Sequence, residues 1–138
     1  NGSAGTNSVY YDGTNTYTAN GGFGGIATGN VSGAQARPGG GGGYATFSGT
    51  APVHLMAGGP GESCYVVPDD IRGGAGGSSL FGGGAVGTDN PTSGQAIAGT
   101  NAQSKGAGGS GAVSRDSVSG GVKGGDGANG YCVIYEYL

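Results

Sequence analysis

Residues 120–130 read GGVKGGDGANG, and the spacing of the glycines in this stretch indicates how the chain folds. Four glycines in this stretch fall at steps of three: Gly121, Gly124, Gly127 and Gly130. An extended helix with three residues per turn rises about 3.1 Å per residue and would place these glycines along one edge. Because glycine has no Cβ, such edges can lie side by side and exchange N–H···O=C hydrogen bonds directly. The stretch therefore predicts extended, polyglycine-type helices that pack against each other within one chain.

Shorter glycine clusters recur along the chain, at 21–25, 39–43, 58–61, 73–77, 82–84 and 106–111. None sustains the step of three, or carries the proline, that a collagen triple helix needs. The segments between clusters carry most of the bulky side chains, and residues 44–57 and 62–67 are predicted to be short strands. No window of 11 residues combines amphipathic spacing with freedom from glycine, so no α-helix is expected.

The two termini carry ordinary β patterns. Residues 9–11 precede Asp12-Gly13, a dipeptide that suits a type I′ turn, and residues 14–19 continue as a second strand. At the other end, residues 131–138 place apolar side chains on both faces, which predicts a strand covered from both sides or one that pairs between subunits. We therefore expect a single mainly β and irregular domain, 1–138. It comprises an opening hairpin (1–20), alternating glycine runs and loops (21–130) and a closing strand (131–138).

Composition excludes several classes of protein. The chain has 38 Gly and 5 Pro among 138 residues, and Leu, Ile, Val and Phe together number 20, so a conventional enzyme domain is not expected. The formal net charge is −3, and the five Lys and Arg residues are scattered singly. Without a basic patch, nucleic acid is not expected as a partner. No apolar run approaches 18 residues, so no membrane insertion is expected.

No motif predicts catalysis, a metal site or a cofactor. His54 is the only histidine, which leaves a catalytic triad or a histidine-rich metal site without partners. The pattern Gly-x-Gly-x-x-Gly at 82–87 and 106–111 is expected by chance at this glycine content and does not join a strand to a helix. Cys64 and Cys132 are interpreted first as buried free thiols, second as a disulfide and third as a nucleophile.

The order of these segments resembles a known family. Residues 10–25 (YYDGTNTYTANGGFGG) are similar to the opening of the glycine-rich domains at the distal ends of bacteriophage tail fibres. Residues 73–84, 106–111 and 124–137 follow in the order those domains use. The chain also looks like the polyglycine-core adhesins at the fibre tips of T-even-like phages, in which glycine motifs alternate with receptor-contacting loops.

The resemblance implies a non-enzymatic adhesin that binds an outer-membrane protein or lipopolysaccharide on a bacterial host. It also implies an extracellular location at the distal end of the virion's tail fibre, attachment to the remainder of that fibre and a homotrimer. Rigid scaffolds present recognition loops at low entropic cost, and aromatic side chains make good contact surfaces. The predicted receptor-binding residues are Tyr44, Phe47, His54 and Phe81, with Arg37, Arg72 and Arg115 for anionic groups. The alternative for the three aromatic rings is a place in a small core.

Two other classes of protein compete with the adhesin hypothesis. An ice-binding protein could also use parallel extended glycine helices, but it would present a regular face of Thr, Ala or Val, and the Thr residues here do not repeat at a fixed step. A structural glycine-rich extracellular protein would be largely disordered. The apolar residues of 131–138 and the low charge count against that alternative.

Overall fold

The strands are short and lie between long irregular segments. The computed structural model describes residues 1–29, 33–50, 53–68, 70–89, 91–115 and 120–135. This part of the chain has no helix, and its strands are β1 (Ser8–Tyr11), β2 (Thr16–Ala19), β3 (Gln35–Ala36), β4 (Ala45–Ser48), β5 (Tyr65–Val67), β6 (Asp70–Arg72), β7 (Ala96–Ile97) and β8 (Val113–Ser114). The predicted mainly β and irregular fold is confirmed.

Small antiparallel sheets lie at the two ends of the molecule. Strands β1-β2-β4 form one sheet at what we call the front end, with loop residues 49–50, 53–56, 79–83, 103–105 and 131–135. Strands β3-β8-β7 and the β5-β6 pair form two sheets at the back end. The predicted strand at 44–57 narrows to β4 plus an isolated Tyr44–Ala57 bridge, and the one at 62–67 narrows to β5. Strands β3, β6, β7 and β8 were not predicted.

The predicted opening hairpin is present, but its turn differs from the prediction. Strands β1 and β2 pair in antiparallel register from Ser8–Ala19 to Tyr11–Thr16, which leaves a four-residue loop instead of a two-residue type I′ turn. Gly13 adopts φ +99°, a left-handed conformation that favours glycine. The Asp12 carboxylate accepts hydrogen bonds from the amides of Thr14 (2.9 Å) and Asn15 (2.7 Å). The Asp12 amide also donates to the Asn15 carbonyl at 3.2 Å, so the chain reverses at Gly13 and Thr14, one residue later than predicted.

Glycine-rich runs connect the two ends. We number them run 1 (residues 1–6), run 2 (20–28), run 3 (37–43), run 4 (57–62), run 5 (73–78), run 6 (84–88), run 7 (98–102), run 8 (106–112) and run 9 (120–130). Each run crosses the molecule once, and successive runs alternate in direction. The loops between runs therefore alternate between the front end and the back end.

Backbone hydrogen bonds between runs recur every three residues. Gly74 and Gly77 donate to the carbonyls of Arg37 and Gly40 at 3.0 and 2.8 Å, which joins runs 5 and 3 in parallel. Gly2 and Gly5 of run 1 donate to the carbonyls of Gly25 and Gly22 in run 2, so these two runs are antiparallel. Residues between these donors bond other neighbours, so a run is surrounded by partners instead of lying in a flat sheet.

Run 8 is the central run. Residues 106–114 are all buried, and Ala107, Ser110, Ala112 and Val113 have no exposed surface. Its backbone joins six other runs through the bonds Gly109 N to Phe23 O, Gly108 N to Gly77 O, Ser110 N to Thr100 O, Gly40 N to Gly109 O, Ala85 N to Gly108 O and Gly125 N to Ser110 O. The centre of the domain is therefore main chain, and apolar side chains contribute little to it.

Close contact between runs requires glycine where one backbone faces another. A Cβ built on Gly109 would lie within 3.0 Å of the Gly125 carbonyl, and one on Gly108 would lie within 3.0 Å of the Gly40 carbonyl. At Gly41, by contrast, the nearest atom to such a Cβ is 3.8 Å away, which is ordinary contact. Bulky side chains are thus excluded from the interior, and most of them project at the ends and sides.

Side chains close the rim of the bundle where a run lacks a neighbour. The amides of Ser3 and Thr6 donate to Asp126 Oδ1 (2.6 Å) and Asn129 Oδ1 (3.0 Å), again at a step of three. The Lys123 ammonium lies 2.6 Å from Asp126 Oδ1 and, with the Ser3 amide, lowers the pKa of that carboxyl. These contacts satisfy backbone donors that would otherwise meet only solvent.

The structure differs from the predicted closing strand at residues 131–135. These residues form no strand, and within the described part of the chain no backbone hydrogen bond reaches them. The preceding residue, Gly130, is joined to the hairpin through its carbonyl, which accepts from the side-chain hydroxyl of Ser8 in β1 at 2.7 Å. This bond comes from a side chain and is not part of a backbone ladder. The side chain of Tyr135 is 78% exposed. Residues 136–138 of the prediction lie outside the described residues.

Candidate functional site

An apolar cleft of about 810 Å³ opens at the front end. Segments from every part of the chain line it, because runs 2, 4 and 8 begin there and runs 3, 5 and 9 end there. The bulky side chains that line it are Tyr10, Tyr17, Tyr44, Val53, His54, Leu55, Met56, Leu80, Phe81, Tyr131, Val133, Ile134 and Tyr135. A cleft of this size and composition is typical of a binding site.

Apolar side chains in the cleft remain open to solvent. Leu55 and Phe81 are each 46% exposed, Met56 is 49% exposed and Leu80 is 64% exposed. Such side chains normally pack inside a domain, but here the interior is filled by main chain. A contiguous exposed apolar surface of this kind is typical of an interaction site.

Aromatic ring contacts hold parts of the cleft in place. Tyr17 lies between Tyr10 and Phe47, with ring centroids 5.9 and 5.2 Å apart, across the sheet β1-β2-β4. On the other side, Phe81 meets Tyr131 edge to face at 5.3 Å. Ring pairs in such geometries stabilise a fixed arrangement beyond the area that they bury. The cleft therefore presents preorganised aromatic edges.

Charges in the cleft are few. The described lining contains the Asp12 carboxylate, the Lys105 ammonium and the His54 imidazole. The Asn15 side chain, which donates to Asp12 Oδ2 at 2.9 Å, and the backbone amides of Asn15 and Thr14 lower the pKa of Asp12 to about 2. Partial burial and the neighbouring Asp12 charge raise the pKa of Tyr17. At neutral pH Asp12 is an ionised carboxylate whose oxygens are already engaged within its own turn.

Replacing Asn15 with alanine should raise the pKa of Asp12 towards its ordinary value of 3.8. Because folding lowers this pKa, the carboxylate contributes stability above about pH 3.8 that is lost as the pH falls through 2. Asn15→Ala should therefore flatten the pH dependence of stability between pH 4 and pH 2. NMR titration of the Asp12 carboxyl and melting curves across this range measure both effects.

Thr14→Ala is the matched control, because it removes a side chain from the same turn and keeps the backbone amide that donates to Asp12. An unchanged Asp12 pKa in Asn15→Ala would contradict the assignment of the Asn15 side chain as the largest cause of the lowered pKa.

Three of the four predicted aromatic or histidine residues line the cleft. Tyr44, His54 and Phe81 are exposed there, so the alternative that Tyr44 and Phe81 fill a core does not hold. Phe47 is half-buried and does not line the cleft, but it packs on Tyr17, which does. The structure thus gathers these four residues at one end.

The three predicted arginines lie at the back end, away from the aromatic residues. Arg37 begins run 3, and seven residues of extended chain, roughly 20 Å, separate it from Tyr44. Its buried Nε has no hydrogen-bond partner among the described residues. Arg72 ends β6 and forms an isolated bridge with Asp89, and Arg115 Nη2 donates to the Pro68 carbonyl at 3.0 Å. The seven predicted residues therefore do not form one site.

The largest part of the cleft missed by sequence reasoning is the segment 131–135. Its apolar residues on both faces predict a strand that is covered from both sides or that pairs between subunits, and in the single chain Val133 is 45% exposed and Ile134 is 43% exposed. Leu80 also lines the cleft and was not among the predicted site residues. A usable signal was the alternation of run direction, which assigns every second loop to the same end.

The described residues offer no group of three or more His, Cys, Asp or Glu side chains that could hold a metal ion. Cys64 and Cys132 are both free thiols, but they are half-buried and not buried as predicted. They lie towards opposite ends of the bundle, with Cys64 before β5 and Cys132 in the cleft. Nowhere in the described ranges is there a helix long and apolar enough to cross a membrane.

Comparisons with protein-family models, with curated proteins and with solved structures found no match for this chain.

Proposed function

We propose that this domain is a non-enzymatic adhesin at the tip of a bacteriophage tail fibre and that its front-end cleft contacts a receptor on the bacterial surface. The observation that carries the proposal is an exposed apolar and aromatic cleft at one end of a bundle held together by main-chain hydrogen bonds. The resemblance of the ordered segments to tail-fibre tip domains supports the same reading. It supplies the other parts of the proposal, which are attachment to the fibre, a homotrimer and an extracellular place on the virion.

Rigidity of the scaffold supports a role in recognition. We propose that the runs adopt the polyglycine-type threefold helix, since hydrogen bonds that recur every three residues are what that helix would make. A bundle of such helices fixes both ends of every front-end loop. Loops held in this way lose little entropy on binding, which favours their use as contact surfaces.

Purified domain should compete with the phage that carries it for adsorption to host cells. Leu55→Asp places a charge in the cleft and should weaken competition at least tenfold, because a desolvated carboxylate costs about 1.4 kcal/mol or more of binding free energy. The measurement is the domain concentration that halves the rate of phage adsorption.

Val66→Asp is the matched control. Val66 is 46% exposed, like Leu55, but it lies in β5 at the back end. It should leave competition within about twofold of the unchanged domain, and both variants should melt close to it because surface changes alter stability by about 0.5 kcal/mol or less. Equal loss in both variants, or no competition by the unchanged domain, would contradict the proposal.

A further inference from the structure

The segment 131–135 has the sequence of a β-strand and the backbone of an unpaired chain. Its residues, YCVIY, are β-branched or aromatic except for Cys132, and such residues favour strands. No backbone hydrogen bond reaches them within the described part of the chain. The segment nevertheless begins at a fixed point, because the Gly130 amide donates to the Thr6 carbonyl at 2.8 Å and the Tyr131 ring packs on Phe81.

We propose that this segment is completed by an extended strand of a protein receptor, which adds to its open backbone groups as a new β-ladder. The inference rests on the proposed function and narrows the receptor to a protein. In strand addition, main-chain hydrogen bonds provide affinity, and pockets for alternate side chains provide specificity. Residues 131–135 all line the cleft, so the side chains of a strand added beside them would face the cleft walls, which would act as these pockets.

The chemistry of the cleft favours a protein strand over a sugar polymer. Leu55, Met56 and Ile134 offer no hydrogen-bond partner to a hydroxyl group, so a saccharide seated on them would be desolvated without compensation. The arginines that could hold anionic sugars lie at the back end. An extended peptide with apolar side chains would pack those side chains on the cleft walls and form main-chain hydrogen bonds with residues 131–135.

Lys105 adds a charge requirement. It is exposed at the cleft, and its neighbour Gly106 donates to the Asn129 carbonyl at 2.8 Å, close to the start of the segment. Among the described residues no carboxylate lies within 4.0 Å of its ammonium group. A partner strand with an acidic side chain near Tyr131 would pair with it, and charge complementarity of this kind fixes register.

Proline substitution tests the ladder directly. In an antiparallel ladder, alternate residues bond the partner on one side, so either Val133 or Ile134 must donate to the added strand. Proline has no N–H, so either Val133→Pro or Ile134→Pro should bind host cells at least tenfold more weakly than its alanine counterpart. Melting temperatures should stay close to that of the unchanged domain, because these amides make no hydrogen bond to any residue that the structure describes. Labelled full-length domain and flow cytometry provide the measurement.

The same assay separates the other outcomes. Shaving the cells with protease should abolish binding, and Lys105→Glu should weaken it more than Lys105→Gln. Binding that survives both proline variants, or that survives protease, overturns the strand-addition inference and leaves the adhesin proposal standing. A proline variant that loses self-association in light scattering also overturns it, because the partner would then be a second copy. Failure of the unchanged domain to bind cells overturns both proposals.

Discussion

Gly109→Ala should destabilise the domain by about 3 kcal/mol or more, a large fraction of the roughly 5–15 kcal/mol that holds a domain folded. The new methyl group would lie within 3.0 Å of the Gly125 carbonyl, and the same residue bonds Phe23 and Gly40 in two further runs. Neither neighbour is a flexible side chain that could move aside. Calorimetry should show a melting temperature lower by about 10 °C or more.

Gly41→Ala is the matched control in the neighbouring run 3. Its added methyl group would meet nothing closer than 3.8 Å, and its carbonyl would still accept from the Phe23 amide. We expect a change within about 1 kcal/mol, and a small gain is possible on entropic grounds because alanine restricts the unfolded chain. If both variants melt together, tight backbone contact at run 8 is not what holds the domain.

Amide hydrogen exchange in run 8 should require opening of the whole domain. The amides of Gly109, Ser110 and Gly111 donate to three different runs, so releasing them separates most of the bundle. We expect exchange at least about 10⁴-fold slower than for an unstructured peptide, which corresponds to an opening free energy above about 5 kcal/mol. Gly125, which donates to Ser110 at 2.8 Å, should be protected to a similar degree.

Gly83 provides the internal reference for this measurement, because it is exposed and a Cβ there would meet nothing within 4 Å. Its amide should exchange within about tenfold of the unstructured rate. Amide exchange in run 8 as fast as at Gly83 would show that the glycine runs are mobile, as the high glycine content alone would predict. The same result would also revive the hypothesis of a disordered structural protein.

Much of the scaffold could be predicted from residue spacing. The step of three in 120–130 predicted runs that bond through the main chain, and Asp12-Gly13 predicted a hairpin at the correct place. The central position of run 8 could not be predicted. Its sequence, GAGGSGA, contains only Gly, Ala and Ser, but run 5 (GGAGGS) has the same composition and lies further out. Which run is surrounded depends on three-dimensional packing and leaves no mark on local sequence.

The candidate site was predicted in part for a related reason. Aromatic residues in loops are predicted to contact a receptor, and two of them, Tyr44 and Phe81, line the front-end cleft. Arg72 is predicted to belong to the same site as these aromatic residues, but it lies at the back end. The end at which a loop lies follows only from the number of glycine runs that precede it. Each glycine run carries the chain from one end of the molecule to the other, so loops that follow one another in sequence lie at opposite ends. Apolar residues on two faces normally indicate burial, so the pattern of residues 131–135 predicts a strand covered within the domain or by a second subunit, and it does not predict an open segment at the cleft.

The late position of run 8 in the chain bears on how the domain is made. Six earlier and later runs need its backbone as a partner, yet it comprises residues 106–112 of 138. As the polypeptide leaves the ribosome, runs 2, 3, 5, 6 and 7 emerge without the element that joins them. Productive folding must therefore wait until run 8 has been synthesised, and the many contacts between distant residues make it slow. During that interval the nascent chain exposes its glycine amides and apolar loops together, which is the stage at which a chaperone would act.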